Sequence, residues 1–350
     1  MSETKIIIGI SQGDINGIGP EVALKALIEP GICDICTPVL FSSQKTVSYY
    51  RKVLGLEEFN FHPIRDFTQI NHKKVNVMIC YEEEVNIEMG KLTEIGGKYA
   101  RISLDHATKA LQENQIHALV TAPINKSNIQ GEGFHYPGHT EYLADKLQGE
   151  PLMILCNENG LRVALVTGHI PLNEVAGRIT TEIVSKKITK FYEALVKDFA
   201  IRKPKIAVLG LNPHAGDNGT LGSEDQDIIR PAIEQLKLDA LIYGPYPADG
   251  FFGSNGYKKF DGILAMYHDQ GLIPFKTLAF NEGVNFTAGL SKIRTSPDHG
   301  TAFEIAGKNE ASEHSFRRAL YAAIDIYRNR KLHTEITANP LAFGTIKKER

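Results

Sequence analysis

The stretch LRVALVTGHIP, residues 161–171, is a short apolar run that ends on Gly168-His169 and Pro171. Bounded by turn residues, such a run reads as a strand buried on both faces. Asn159-Gly160 stands immediately before it and separates it from the apolar run that begins at Leu152, which is a strong hairpin signal. At least one antiparallel pair is therefore expected. Working outward, similar strand-like runs recur at Lys5–Ile10, Val75–Cys80, Ala118–Ala122, Ile206–Leu209 and Ile263–Tyr267. The segments Gly97–Glu113, Thr181–Phe199, Ser223–Leu236 and Glu313–Arg328 instead repeat apolar residues every three or four positions, the period of a helix with one buried face. Alternation of this kind predicts an α/β fold with mainly parallel sheets covered by helices.

With 350 residues, 42% of them hydrophobic, the chain is long enough for two packed α/β domains or one large one with a sizeable core; two α/β/α domains with a cleft between them are expected. Loop composition places a boundary near Asn125–His135 and a return near Ala306. The expected division is a discontinuous first domain, 1–130 plus 306–350, and a second domain, 131–305. Lys and Arg number 39 against 41 Asp and Glu, for a formal net charge of -2, and no long basic tract occurs. Nucleic acid and an anionic membrane are thus not expected partners. The four cysteines are too sparse for a disulfide framework, and Cys33-x-x-Cys36 has no second pair or nearby His to complete a zinc knuckle. MSETKIIIGI carries no charged leader followed by a long apolar segment, and no stretch reaches about 18 consecutive apolar residues. The expectation is a soluble cytoplasmic protein in a reducing compartment.

Three histidines share one local context, each following a strand-like run and opening a loop: ALVTGHIP for His169, VLGLNPHAG for His214 and ILAMYHDQG for His268. In parallel sheets the carboxyl ends of strands line the ligand crevice, so residues distant in sequence converge there. One such histidine is most simply structural, but three together point to a divalent ion such as Zn, Co, Ni or Mn, with positions left open for substrate oxygens. Asp249, in GPYPADGFF, reads equally as a further ligand, a partner of a ligand, a base, or a turn-forming Asp before Gly250. PGHTEYLA puts His139 and Thr140 before a helix, with Thr140 as a candidate N-cap beside an anion site. IPFK, VNFTAGLSKIR and TSPDHGTAFEIAGK add Lys276, Asn285 and Arg294, two fixed charges and an amide suited to phosphate or carboxylate. Lys126, closing TAPINK, is either a solvated loop lysine or one that holds an anion or relays a proton. SQGDINGIGPEV has neither the dinucleotide fingerprint nor a P-loop spacing and reads as close backbone packing.

Taken in order, GDINGIGPE, TAPINK, PGHTEYLA, VTGHIPL, LNPHAGDNG, GPYPADGFF, YHDQGLIPFK and KIRTSPDHGTAFEIAGK resemble the 4-hydroxythreonine-4-phosphate dehydrogenase family of pyridoxal phosphate biosynthesis, from about Ile6 to Tyr327. The resemblance implies an isocitrate/isopropylmalate dehydrogenase-like fold and NAD- or NADP-dependent oxidation of 4-phosphohydroxy-L-threonine, followed by decarboxylation to 3-amino-2-oxopropyl phosphate. It implies His169, His214 and His268 as ligands of one divalent ion (Zn, Mg, Co or Mn), with His268 supplied by the partner of a homodimer whose interface the second domain carries. It implies substrate contacts from His139, Thr140, Lys276, Asn285 and Arg294. HGTAFEIAGK is similar to the adenosine-side loop of those dehydrogenases, which assigns Asp298, His299, Gly300 and Thr301 to the cofactor. Asp249 and Lys126 are the candidate catalytic proton carriers. Ile15-Asn16 and Gly250-Phe251-Phe252 depart from the pattern of many relatives. Rival readings are a dehydrogenase of 4-phospho-threonate or erythronate, a metal-dependent phosphoester hydrolase, and a binding protein with a structural ion.

Overall fold

The computed structural model describes residues 5–131 and 134–339. Parts of the expected domain division, 1–4, 132–133 and 340–350, lie outside the described residues. Twelve strands form one sheet: β1 (Ile7–Ser11), β2 (Thr37–Ser42), β3 (Phe61–Ile64), β4 (Val75–Ile79), β5 (Ala118–Thr121), β6 (Gly149–Cys156), β7 (Arg162–Leu165), β8 (Lys205–Leu209), β9 (Leu241–Tyr246), β10 (Gly262–Ala265), β11 (Val284–Leu290) and β12 (Ile293–Pro297). Their spatial order is β3-β4-β2-β1-β5-β12-β11-β6-β7-β10-β8-β9. The first six in that order pair in parallel, as do the last four. Between these two sets, β12–β11, β11–β6 and β6–β7 are antiparallel.

The β6–β7 hairpin is the one that Asn159-Gly160 predicts, with Gly160 at φ 87° and Cys156 opposite Arg162. All the strands read from apolar runs are present within two residues of the expected limits. The expectation had no place for β11 and β12, because Asn285, Thr287 and Arg294 interrupt their apolar pattern. β9 was hidden likewise by Gly244-Pro245 in LIYGPY.

Helices cover both faces. α1 (Gly19–Leu27), α2 (Glu94–Gln112), α3 (His139–Leu147), α4 (Thr181–Lys197), α5 (Ala248–Gly253), α6 (His268–Ala279) and α7 (His314–Thr337) are those that bear on the site. Thr93 and Thr180 cap α2 and α4, accepting from the backbone N–H groups of Gly96 and Ile183. α7 buries Phe316, Ala319, Leu320 and Ala323 against β12, β11 and β5. It runs on to Thr337, past the expected end at Arg328. The expected helix Ser223–Leu236 forms over a shorter span, opening with a wider π-helical stretch, Asp225–Ile229, that runs directly into the α-helix Arg230–Glu234. Pro231 lacks the N–H that would continue a regular ladder, and the Asp225 carboxylate is turned back to accept from the backbone of Leu211 and Asn212.

α2 enters the fold tightly against the loop that follows β5. A Cβ on Gly97 would stand 1.9 Å from the Asn128 carbonyl oxygen. Alanine gains up to about 1 kcal/mol over glycine in a helix, whereas overpacking of a rigid neighbour costs about 1–3 kcal/mol. The overlap wins, because its partner is backbone. Gly97→Ala is therefore expected to lower stability by about 1–2 kcal/mol in equilibrium denaturation, and a raised midpoint would contradict this close approach.

Candidate active site

A cleft of about 280 Å³ opens where the loop after β5, the start of α3, the loop after β7 and the ends of β11 and β12 meet. It gathers Lys126, His139, Thr140, His169, Lys276, Asn285, Arg294, Asp298, His299 and Gly300, residues that the sequence scatters over half the chain. Thr121, Glu141 and Ser296 also line it, and the motif reading passed over them. Glu141 was legible as the neighbour of Thr140 in PGHTEYLA, whereas Thr121 and Ser296 look like ordinary strand residues.

Arg294 is the electrostatic centre of the cleft. Its side chain rises from β12 and is only 3% exposed, with Nε and Nη2 donating to Thr121 Oγ1 at 3.1 and 2.7 Å and Nη1 donating to Thr287 Oγ1 at 3.0 Å. Among the described residues no carboxylate forms an ion pair with it. Burial lowers its pKa to about 10, which still leaves it charged at neutral pH. Two hydroxyls fix the guanidinium, and its charge remains for a bound anion. Lys276 Nζ lies 3.5 Å from Asp298 Oδ2, and burial raises the Asp298 carboxyl against the pull of Lys276.

The histidines of the cleft are neutral rings. Burial holds His139 well below the usual histidine range, and Arg294 and Lys126 push it the same way. Burial also lowers His299. His139 Nε2, His299 Nε2 and Asn285 Oδ1 are buried atoms without a hydrogen-bond partner. Buried polar atoms are normally paired, so three such atoms around one cleft mark it as a place for a polar ligand. The start of α3 differs from the expected Thr140 cap: the helix starts at His139, Gly138 takes the cap position, and Thr140 is the second residue of the helix. Thr140 reaches the cleft from the first turn instead.

β7, β10, β8 and β9 are neighbours and all run parallel, so His169, His268, His214 and Asp249, which follow them in that order, leave the sheet at the same end. The His169 and His268 rings lie 5.4 Å apart and share a second cavity, of about 380 Å³, with Leu172, Val175 and Tyr267. His214 and Asp249 are exposed and line neither cavity. Among the described residues no three His, Cys, Asp or Glu side chains are close enough to hold an ion. The donors nonetheless suit one. Burial, Lys126 and His268 lower His169 and keep it neutral, and His268 Nδ1 lies 2.7 Å from Asp269 Oδ1, which leaves Nε2 to face a metal.

GDINGIG packs as expected. A Cβ on Gly17 would stand 2.8 Å from the Thr301 carbonyl oxygen, which accepts the Ile18 N–H at 3.0 Å. Thr301 thus faces this loop and does not line the cleft. The unusual pair Ile15-Asn16 has local partners: Ile15 packs on Tyr81 and Tyr99, while Asn16 donates to Thr93 Oγ1 and accepts from the Glu88 N–H. Cys33 and Cys36 are free thiols far from the cleft in sequence, and burial raises Cys36 to about 12, an unreactive state. No helix among the described residues is long and apolar enough to cross a membrane.

The chain is similar to known proteins over nearly its whole length. The 4-hydroxythreonine-4-phosphate dehydrogenase of Bacteroides thetaiotaomicron is 50% identical over 343 residues, covering 97% of this chain and 94% of that protein. That of Sulfurihydrogenibium is 41% identical over 327 residues, covering 93% and 99%. The crystal structure of the 4-hydroxythreonine-4-phosphate dehydrogenase of Klebsiella pneumoniae superposes with a TM-score of 0.79 at 33% identity, covering 93% of this chain and 99% of that one. The model of pyridoxal phosphate biosynthetic protein PdxA matches residues 34–323. With that match spanning most of the sequence and these relatives matched almost end to end, the chain belongs to the PdxA family of pyridoxal phosphate biosynthetic proteins.

Proposed function

We propose that the chain is an NAD- or NADP-dependent dehydrogenase of 4-phosphohydroxy-L-threonine, whose β-keto product loses CO2 to give 3-amino-2-oxopropyl phosphate in pyridoxal phosphate biosynthesis. The observation that carries this reading is the buried Arg294 without a carboxylate partner, in a small cleft with Lys276, neutral histidines and unpartnered buried polar atoms. Such a cleft suits a small, doubly charged phosphate ester that also carries hydroxyl and amino groups.

Arg294 and Lys276 hold the phosphate, His139 donates to it or to the carboxylate, and Asn285 Oδ1 accepts from a substrate N–H or O–H. Thr140 completes the contacts from the first turn of α3. Lys126 carries the proton lost by the secondary alcohol. Asp249 leaves β9 outside the cleft, so Lys126 is the better placed of the two candidate carriers. Asp298, His299 and Gly300 offer the dinucleotide its side of the cleft, with Thr301 supporting their loop from the side of Ile18.

The divalent ion falls to His169, His214 and His268, at a site shared between two copies of the chain. When bound, the ion makes the hydroxyl more acidic and polarises the new ketone, and the nicotinamide accepts the hydride. The resemblance gives His268 to the partner subunit, whereas within one chain His268 stands 5.4 Å from His169 and it is His214 that is exposed and apart, so a single copy does not bring the three together. Leu172 is 74% exposed in the cavity beside that pair, and Ile273 and Phe280, 63% and 76% exposed, lie further along α6 and at its end, apolar surface that a second copy would cover.

Mixing the enzyme with NAD+ or NADP+ and 4-phosphohydroxy-threonine should generate reduced-nicotinamide absorbance, and 4-phospho-threonate should turn over more slowly. Phosphate release without that absorbance would favour a hydrolase. Arg294→Met should lower kcat/KM by about 10–100-fold, the loss of one charge-assisted contact of about 1.5–3 kcal/mol. Its melting temperature should hold or rise, because a buried, unpaired cation is replaced by an apolar chain. A lower melting temperature with unchanged kcat/KM would assign Arg294 to folding instead. His214→Ala should retain the far-UV dichroism and lose metal-dependent NADH formation; full wild-type turnover after exhaustive chelation would rule the ion out.

A further inference from the structure

We propose that Asp14 is a positioning residue for Lys126, clamping both flanks of the turn that presents this lysine to the cleft; the role rests on the reading of Lys126 as proton carrier. Asp14 sits in the GDINGIG loop, is 0% exposed, and does not line the cleft. Its backbone N–H donates to the Pro123 carbonyl at 3.0 Å, on the near flank of the turn. Its Oδ2 accepts from Asn128 Nδ2 at 2.7 Å, on the far flank. Between these two anchors the turn is closed by Asn125, whose Oδ1 accepts from the Ser127 backbone N–H at 2.9 Å and whose carbonyl accepts from Ile129 N–H at 3.3 Å. Lys126 lies at the centre of this closed loop.

The clamp is anchored in turn to the rest of the domain. Asp14 Oδ1 accepts from the Asn16 N–H at 2.8 Å, and Asn128 Nδ2 also donates to the Thr93 carbonyl at 2.9 Å, just before α2. No Lys or Arg among the described residues forms an ion pair with Asp14. A buried carboxylate without a cation is destabilising, and nothing in the packing requires one at this position. Its two oxygens do something an apolar residue cannot, since one closes its own loop by accepting from the Asn16 N–H while the other accepts from Asn128 on the turn. Asparagine at this position offers one carbonyl oxygen for two N–H donors, so Asp14→Asn keeps the size and breaks one link.

The test is a cycle of Asp14→Asn, Lys126→Met and the double variant, read by steady-state kinetics and by hydrogen exchange of the peptide covering residues 123–130. Asp14→Asn is expected to lower kcat by at least about tenfold with KM within about threefold, and to raise exchange in that peptide while strands β7 and β10 keep theirs. In the Lys126→Met background the same change should have no further effect on kcat, because the positioned group is gone. An equal fall of kcat in both backgrounds, or unchanged exchange in the peptide, would overturn the proposal. Full activity of Lys126→Met alone would instead remove Lys126 as the proton carrier, and exchange would then judge the clamp by itself.

Discussion

Strand β11 joins the two halves of this molecule. It pairs antiparallel with β12 on one side and β6 on the other, so it binds a parallel set ordered around β1 to a second one ordered around β10. Each of those sets is a common α/β solution with helices on its faces. Only the antiparallel strip makes them one sheet, and the cleft lies along that strip. Arg294 illustrates the dependence: rooted in β12, it bonds hydroxyls on the neighbouring β11 and on β5, far away in sequence, so the guanidinium is held only when all three strands are in register.

The same arrangement sets the electrostatics. A guanidinium held by two neutral hydroxyls keeps nearly all of its field for whatever enters the cleft. That field, together with Lys126, disfavours a second positive charge nearby, and it combines with burial to keep His139 neutral. The cleft therefore pairs fixed cations with neutral imidazoles, a division suited to holding an anionic ester at one end and presenting nitrogen donors at the other.

Most of this was legible in the sequence wherever one physical signal dominated. Most buried parallel strands announce themselves as apolar runs, although β2, bounded by Thr37-Pro38 and Ser42, does not; Asn159-Gly160 announces its hairpin, and histidines after strand ends announce the neighbouring carboxyl ends of β7, β10 and β8. Where two demands fall on the same residues, the reading fails. β11 and β12 must be both central strands and ligand walls, so Asn285, Thr287 and Arg294 break up the continuous apolar run that marks the other strands, although Val284, Phe286, Ala288 and Leu290 keep the two-residue alternation of a strand. The helix that apolar spacing favours ahead of Leu236 forms, but its wide opening before Pro231 has no signal in that spacing. Asp14 was invisible for a different reason: a carboxylate in a glycine-rich loop looks solvent-facing until its partners, far along the chain, are known.

The position of β12 also bears on how the chain reaches this state as it is synthesised. β5 is complete by Thr121, yet its second edge is filled only by Ile293–Arg294–Thr295, near the end of the sequence. Until then the first parallel set carries an open edge of unpaired backbone in its hydrophobic interior, where α7 has also yet to pack. A nascent chain in this condition is open to wrong strand pairing. The segment that completes the ligand cleft is thus also the one that ends this exposed period of folding.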